Sequence, residues 1–283
     1  MPELPEVETV MRGIAPAMTG YKIDQLILNR ADLRWPFPDG MAERVSGSKV
    51  LGLRRRSKYI LADLDSNETL LIHLGMSGRI LVSGDPMGNF THDHRPIEKH
   101  DHVIFWIENG TRITFNDPRR FGAVDLLDTN LGDSHPLLRN IGPEPFGNAF
   151  HEDYLVNILK KKNSPIKSAV LDQRIVAGLG NIYVCEALFM SGISPKKTAS
   201  KISKKKCEEL VRNIRGILIS AIEAGGSSLK DFTDIEGNSG YFQFEFYVYG
   251  RDNELCKSNT CNRKIKRISQ SGRSSFYCPS CQR

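Results

Sequence analysis

The sequence predicts an α+β protein: a short N-terminal helix, a β-sandwich or barrel, a helical region, and a metal-binding tail. Three observations predict this. Eight short strand-like segments lie between residues 21 and 127, separated by Gly, Asp, Asn and Pro, and runs of that number and spacing belong to sandwiches and barrels. Beyond residue 147 the apolar period shifts from two towards the helical value. Four of the six cysteines crowd into residues 256–283.

The elements follow in order. Pro5 suits the first position of a helix, where its missing N–H is no loss, and Glu6 and Glu8 suit the positive end of the helix dipole. Val7, Val10, Met11 and Ile14 supply its apolar stripe. Strands are expected at residues 21–30, 49–56, 59–65, 69–74, 79–83, 102–108, 111–116 and 123–127. The polar stretch 84–99, with Pro86, Gly88 and Pro96, reads as a surface loop, and the Gly-Pro-Glu-Pro-Phe-Gly run at 142–147 reads as a linker. Helices are expected over 151–162 and 166–173, then following Asn181, through Tyr183, Glu186, Ala187 and Phe189, with Asn181 at the turn into that helix as a candidate N-cap. The clearest helix is 203–224, with Cys207, Leu210, Val211, Ile214, Leu218 and Ala221 on one face and Gly225-Gly226 closing it. Cys207 and Cys185 are expected in the core. Residues 229–241, containing Gly237, Ser239 and Gly240, read as a mobile loop, and no internal repeat is visible.

At 283 residues and 40% hydrophobic content the chain has room for two domains with real cores. The net charge of +6 favours a polyanionic partner. No apolar run reaches the ~18 residues that span a bilayer, and the acidic first residues are unlike a signal peptide, so a cytoplasmic protein with no membrane partner is expected. In that compartment six cysteines are not expected to form disulfides.

Helix punctuation accounts for Pro5 to Ile14 but not for Pro2 and Glu3. Removal of Met1 would leave Pro2 with a free secondary amine. An α-amino group titrates near pH ~8, and a neighbouring helix N-terminus disfavours another positive charge. A secondary amine attacking an aldehyde-level carbon gives an iminium that stays cationic at any pH, a good electron sink. Glu3, one residue on, could shuttle protons.

The tail reads Cys256-x4-Cys261, sixteen residues, then Cys278-x2-Cys281. Two short-spaced thiolate pairs bridged by a hairpin-length segment are what a tetrahedral zinc ribbon requires. With no His in the tail, one four-Cys structural zinc ion is indicated. Ser271-Gly272-Arg273-Ser274 reads as a hairpin tip that would present Arg273 to phosphates.

Several segments together resemble the bacterial formamidopyrimidine-DNA glycosylases. They are residues 2–9 (Pro-Glu-Leu-Pro-Glu-Val-Glu-Thr), Arg56-Ser57-Lys58-Tyr59, His73-Leu74-Gly75-Met76-Ser77-Gly78, Lys99-His100-Asp101-His102 and Asn116-Asp117-Pro118-Arg119-Arg120-Phe121-Gly122. The second half adds Asp172-Gln173, the run from Ala177 through Gly180-Asn181 to Tyr183, Gly240-Tyr241-Phe242, Val248-Tyr249-Gly250-Arg251 and the four cysteines. The resemblance runs end to end in the same order. It implies a base-excision repair enzyme that removes 8-oxoguanine and formamidopyrimidines from double-stranded DNA and cuts the strand at the abasic site, acting as a monomer. The fold implied is a catalytic β-sandwich domain (1–142), a helix–two-turn–helix domain (148–240) and a zinc finger (241–283), with DNA across the cleft.

Carried over by position, the resemblance makes Pro2 the nucleophile, Glu3 the proton donor and acceptor, and Glu6 a supporting hydrogen-bond partner. Lys58, Asn181 and Arg273 would hold phosphates beside the lesion. Further DNA contacts are implied at His100, Arg119 and Lys162, the last uncertain in register by one within Lys160-Lys161-Lys162. Met76, Arg119 and Phe121 match the trio that fills the hole left by a flipped-out nucleotide, which offsets part of the few kcal/mol that flipping costs. Residues 229–241 correspond to the family's lesion-capping loop. The first cysteine pair is spaced by four residues where the family pattern has two. Metal binding is expected to survive this, and the orientation of the finger is the property at stake. The rivals are the endonuclease-VIII-like branch, which prefers oxidised pyrimidines, and a non-catalytic binder of damaged DNA. The Arg119–Phe121 pair argues against the first, and intact Pro2, Glu3 and Lys58 argue against the second.

Overall fold

Helix α1 (Leu4–Met18) starts at an N-cap on Glu3 with Pro5 in its first turn, and it buries Val7, Val10, Ile14 and Met18. The computed structural model describes residues 2–84, 98–227 and 242–283; the stretches 85–97 and 228–241, and with them most of the expected surface loop and the lesion-capping loop, lie outside the described residues. The chain packs as two units, residues 1–139 with 224–241, and residues 140–223 with 242–283.

In the first unit the strands are β1 (Ile23–Leu28), β2 (Val50–Arg56), β3 (Tyr59–Leu64), β4 (Glu68–His73), β5 (Arg79–Ser83), β6 (Asp101–Ile107), β7 (Arg112–Asn116) and β8 (Ala123–Asp128), with a five-residue helix α2 (Met41–Val45) before β2. They form two antiparallel four-stranded sheets, ordered β1-β6-β7-β5 and β2-β3-β4-β8. This is a sandwich and not a barrel. Its core joins Ile23, Phe105 and Phe115 of one sheet to Ile60, Leu70 and Ile72 of the other, together with the α1 stripe. Helix α2 was not expected, because five residues are too few to show a period.

The second unit holds α3 (Glu152–Leu159), α4 (Ile166–Val170), α5 (Asn181–Met190), α6 (Lys204–Glu223) and a hairpin of β9 (Lys266–Gln270) and β10 (Arg273–Tyr277). Helix α3 stops at Leu159, short of 162: the amides of Lys161 and Lys162 tighten onto Ile158 and Leu159, the usual closure of a last turn. Cys207 is buried on the apolar face of α6, and Cys185 is buried on α5. The stretch 142–147, which reads as a linker, is bound into this unit. Gly142 N–H donates to Gln173 C=O (2.8 Å), and the Arg215 guanidinium donates to Pro145 C=O (2.8 Å) and Phe150 C=O (2.6 Å).

Helix α5 shows no stripe because Ile182 to Leu188 are all buried, the pattern of a helix enclosed on every side. Among them is Glu186. Its carboxylate accepts the backbone N–H groups of Tyr247 (2.9 Å), Val248 (2.9 Å) and Tyr249 (2.7 Å), fixing the chain that leads into the cysteine tail. Burial pushes this carboxyl above the usual range, against the pull of the three amides. Removing it leaves three donors without their acceptor, that of Val248 buried and those of Tyr247 and Tyr249 partly so, at ~1–3 kcal/mol for a buried one. Calorimetry on Glu186→Ala should therefore show a loss of ~2–4 kcal/mol; a loss under ~1 kcal/mol would show that the three bonds are replaceable by water.

Candidate active site and metal centre

The N-terminal residues are held by one carboxylate. Pro2 and Glu3 are buried at the start of α1. Glu6 Oε2 accepts the N–H of Glu3 (2.8 Å), while its Oε1 accepts both the N–H (2.8 Å) and the hydroxyl (3.0 Å) of Ser227. Residue 226 must be glycine for this to form. Its φ is +82°, and a Cβ there would stand 3.1 Å from Glu6 Cγ. Glu6 thus ties the start of the chain to the foot of the stretch 228–241.

Lys58 occupies the second position of the two-residue turn joining β2 to β3, behind Ser57 with φ +55°. The turn is braced from α1. Glu8 pairs with Arg55 (2.7 Å), whose guanidinium also donates to Ser57 C=O (3.0 Å). Tyr59 pairs across the sheet with His73, their rings 4.9 Å apart. His73 Nδ1 accepts the N–H of Gly75 (3.2 Å), so the neutral ring carries its proton on Nε2. Burial, then the Lys58 and Arg34 cations, pull its pKa down to about 4, with Asp117 opposing.

Met76 and Phe121 are 37% and 46% exposed, which excludes the core as their place. The Arg119 guanidinium lies 4.8 Å from the centre of the Phe121 ring. The two loops carrying these side chains are joined by Asp117, which is fully buried. Its Oδ1 accepts the Ser77 hydroxyl (2.5 Å) and the Arg119 N–H (3.2 Å), and its Oδ2 accepts the Gly122 N–H (2.8 Å). The loops interlock so closely that a Cβ on Gly75 would meet the backbone of Phe121 and Gly122 at 2.4 Å. His100 belongs to the same assembly, since its carbonyl accepts the N–H of Asp117 (3.0 Å).

In the second unit Lys162 lies in the turn after α3, with its carbonyl bonded to the N–H of Ser200 (3.0 Å). Asn181 is the first residue of α5 and not its N-cap, which is Gly180, because the Asn181 amide is turned to the hairpin instead of to the helix's own N–H groups. Its Nδ2 donates to Ser274 C=O (3.0 Å), and the buried ammonium of Lys167 donates to the same carbonyl (2.9 Å) and to Ser275 Oγ (2.7 Å). Two donors from α4 and α5 therefore fix the hairpin tip. Ser271 and Gly272 both have positive φ, as a tight two-residue turn requires, and Arg273 stands exposed beside it.

The four tail sulfurs lie within 4.8 Å of one another. Cys256 and Cys281 are 3.9 Å apart, and Cys261 and Cys278 3.6 Å. A disulfide would need ~2.05 Å, whereas a tetrahedral site with Zn–S near 2.3 Å places sulfurs at ~3.8 Å. The donor set therefore fits one zinc ion. The longer knuckle is accommodated by backbone pairing: Cys256 N–H donates to Arg263 C=O (2.9 Å), and Cys261 N–H to Ser258 C=O (2.9 Å).

Sequence reasoning assigned no role to His73, Asp117, Lys167 or Glu186. The first two sit inside motifs quoted for other residues, and each of the four also has a partner distant in the chain: Tyr59 for His73, Ser77 for Asp117, Ser274 for Lys167 and Val248 for Glu186. The depressed His73 carries a pH dependence. Above about pH 6.5 neither folded nor unfolded chain protonates it; below that the unfolded chain does, and the folded chain does not until about pH 4. Stability should fall across this window by up to ~3 kcal/mol. Melting curves of His73→Gln should lose less between pH 7 and pH 5 than the wild type, and parallel losses would contradict the assignment.

Comparison with known proteins bears on all of this. The sequence model of the formamidopyrimidine-DNA glycosylase N-terminal domain matches residues 1–124, and that of its H2TH domain matches 141–233. A zinc finger found in FPG and IleRS matches 259–283, a range that begins after Cys256. Formamidopyrimidine-DNA glycosylases of Ruegeria pomeroyi and Cereibacter sphaeroides are 64% and 59% identical, each over the full length of both chains. The crystal structure of the Fpg protein from Thermus thermophilus is 34% identical, with a TM-score of 0.85 over 99% of this chain and 98% of that one. Lactococcus lactis Fpg in complex with DNA containing an abasic site is 33% identical, with a TM-score of 0.86 over 99% of both chains. The chain belongs to the formamidopyrimidine-DNA glycosylase family.

Proposed function

We propose that this protein excises oxidised purines, 8-oxoguanine and formamidopyrimidines, from double-stranded DNA and then cleaves the strand at the abasic site. It works as a monomer in the bacterial cytoplasm. The observation that carries this reading is the full-length match to formamidopyrimidine-DNA glycosylases, and solved Lactococcus lactis relatives hold DNA containing an abasic site or Fapy-dG.

Pro2, freed by loss of Met1, donates its nitrogen lone pair to the sugar carbon that bears the damaged base. The glycosidic bond breaks, and its electrons leave with the base. The proton on the Pro2 nitrogen passes to the departing base. The nitrogen lone pair so freed forms the C=N bond as the bond from the same carbon to the ring oxygen breaks. Glu3 protonates that oxygen, leaving an iminium between Pro2 and the opened carbon chain. The iminium acidifies the adjacent carbon. Loss of that proton expels the 3′ phosphate, and a second elimination expels the 5′ phosphate. Glu6 holds Glu3 in place through the backbone. Lys58, Asn181 and Arg273 grip the phosphates about the lesion, with Lys162 and His100 as further contacts. His73 offers a neutral N–H donor near Lys58. Met76, Arg119 and Phe121 fill the vacated stack. Zinc held by Cys256, Cys261, Cys278 and Cys281 leaves no open coordination position, so it organises the hairpin and takes no part in the chemistry.

Borohydride should trap a covalent complex on a duplex carrying 8-oxoguanine opposite cytosine when mass analysis shows Met1 absent, and an N-terminally blocked Pro2→Gly should trap none. Absence of trapping and of cleavage by protein that has lost Met1 and still binds the duplex would refute the reading.

The wedge has its own test. Ser77→Ala removes the hydroxyl that links the Met76 loop to Asp117 and to the Arg119 N–H (3.3 Å), while that N–H keeps its bond to Asp117 and Gly122 keeps its own. It should slow excision about tenfold, or ~1.4 kcal/mol. It should also weaken the fluorescence rise of 2-aminopurine placed beside the lesion. Cleavage of a single-stranded abasic oligonucleotide, which has no stack to fill, should be unaffected. An equal loss on both substrates would remove the wedge from the explanation.

A further inference from the structure

The net charge of +6 conceals a separation of sign. Segments 154–171, 187–207 and 255–283 contain 17 of the 39 Lys and Arg residues and none of the 33 Asp and Glu. The remainder therefore holds 22 cationic side chains against 33 acidic ones, a formal −11.

The fold binds these three segments to one another within the second unit. Ile166 N–H donates to Lys197 C=O (2.7 Å), Ala199 N–H to Ser164 C=O (3.0 Å) and Ser200 N–H to Lys162 C=O (3.0 Å). The β9–β10 hairpin joins the other two segments at its tip. The hydroxyls of Ser168 and Ser271 are 3.1 Å apart, and Gln270 Nε2 donates to Pro195 C=O (3.3 Å). The Lys196 ammonium lies 5.2 Å from the centre of the Tyr277 ring on β10. Lys204 and Lys206 are paired, with Asp153 and Glu209. Lys197, Lys201 and Lys205 are exposed and make no ion pair among the described residues.

A surface of one sign repels itself and gains only when a polyanion lies on it. Duplex DNA presents one negative charge per ~1.7 Å of axis, and lysine is a point charge on a flexible stem that meets phosphates without demanding a fixed geometry. We infer that residues 196–205 form a second, sequence-independent contact with the duplex. They take backbone phosphates flanking the lesion, beyond those gripped by Arg273, Asn181 and Lys162, and they serve binding and search, not excision. The identity of the polyanion rests on the functional reading above.

The test uses zinc-loaded, full-length protein and the triple variant Lys197→Gln, Lys201→Gln, Lys205→Gln. Affinity for a lesion-free duplex of ~40 base pairs is measured against salt, where each lost phosphate contact flattens the log–log slope by ~0.9. The variant should show a slope shallower by ~2–3 and an affinity about a hundredfold lower at 0.1 M salt. Single-turnover excision on a saturating short lesion duplex should be unchanged. A wild-type slope in the variant overturns the inference, as does a fall in saturated excision that matches the fall in affinity. Wild-type protein that binds DNA with a steep slope yet excises nothing would refute the functional reading while leaving the surface assignment intact.

Discussion

A carboxylate taken out of water must be given donors in exchange, and the segments proposed to carry this protein's chemistry are arranged around three such groups. Glu6, Asp117 and Glu186 are 2%, 0% and 1% exposed. None of the three finds these amide partners in a regular helix or sheet ladder. Glu6 takes amides from residues 3 and 227, Asp117 from 119 and 122, and Glu186 from 247 to 249. In each case the bonded amides belong to irregular chain or a helix end, where backbone donors have no partner of their own. One carboxylate satisfies several of them at once, and a charged acceptor makes each bond stronger than a neutral one would.

What these nodes hold follows from their positions. Glu6 fixes the backbone of Glu3, the residue after Pro2. Asp117 holds two loops together so that Met76, Arg119 and Phe121 stand exposed as one body. Glu186 secures the entry to the zinc tail, whose hairpin Lys167 and Asn181 then fix at Ser274. Preorganisation of this kind lets the side chains proposed to meet substrate remain exposed and still have defined positions. The zinc centre does the same work by covalent means at the end of the chain, where a small β-hairpin could not hold itself.

Much of this was legible in the sequence. Eight strands could be read because each alternates or runs apolar between turn residues, and the zinc ligands because thiolate spacing is a direct statement of geometry. The strand pattern alone did not choose between sandwich and barrel, and only the family resemblance pointed to the sandwich. That choice depends on which strands are neighbours, and orders such as β1-β6-β7-β5 are set by long-range packing. The Pro- and Gly-rich stretch at 142–147 has a linker's composition but is bound by Arg215, 70 residues from Pro145. The chemistry proposed for Pro2 and Glu3 came from the reactivity of a free proline amine and from resemblance. The supporting residues escaped notice because Asp117 finds Ser77 forty positions away and Glu186 finds Val248 across 62. One signal could have found Glu186. An acid inside the uninterrupted apolar run Ile182–Leu188 has to be buried, and a buried acid has to be bonded.

Native-state amide exchange of the zinc-loaded protein, read by NMR at single residues, tests most directly whether these carboxylates hold the functional segments. The account predicts that the amides of Glu3, Gly122, Ser227, Tyr247, Val248 and Tyr249 exchange as slowly as those of the helices and strands beside them, although none lies in a strand or helix interior. Exchange at the rates of an open chain would mean that the carboxylates do not hold these segments, and that the site's geometry must come from elsewhere.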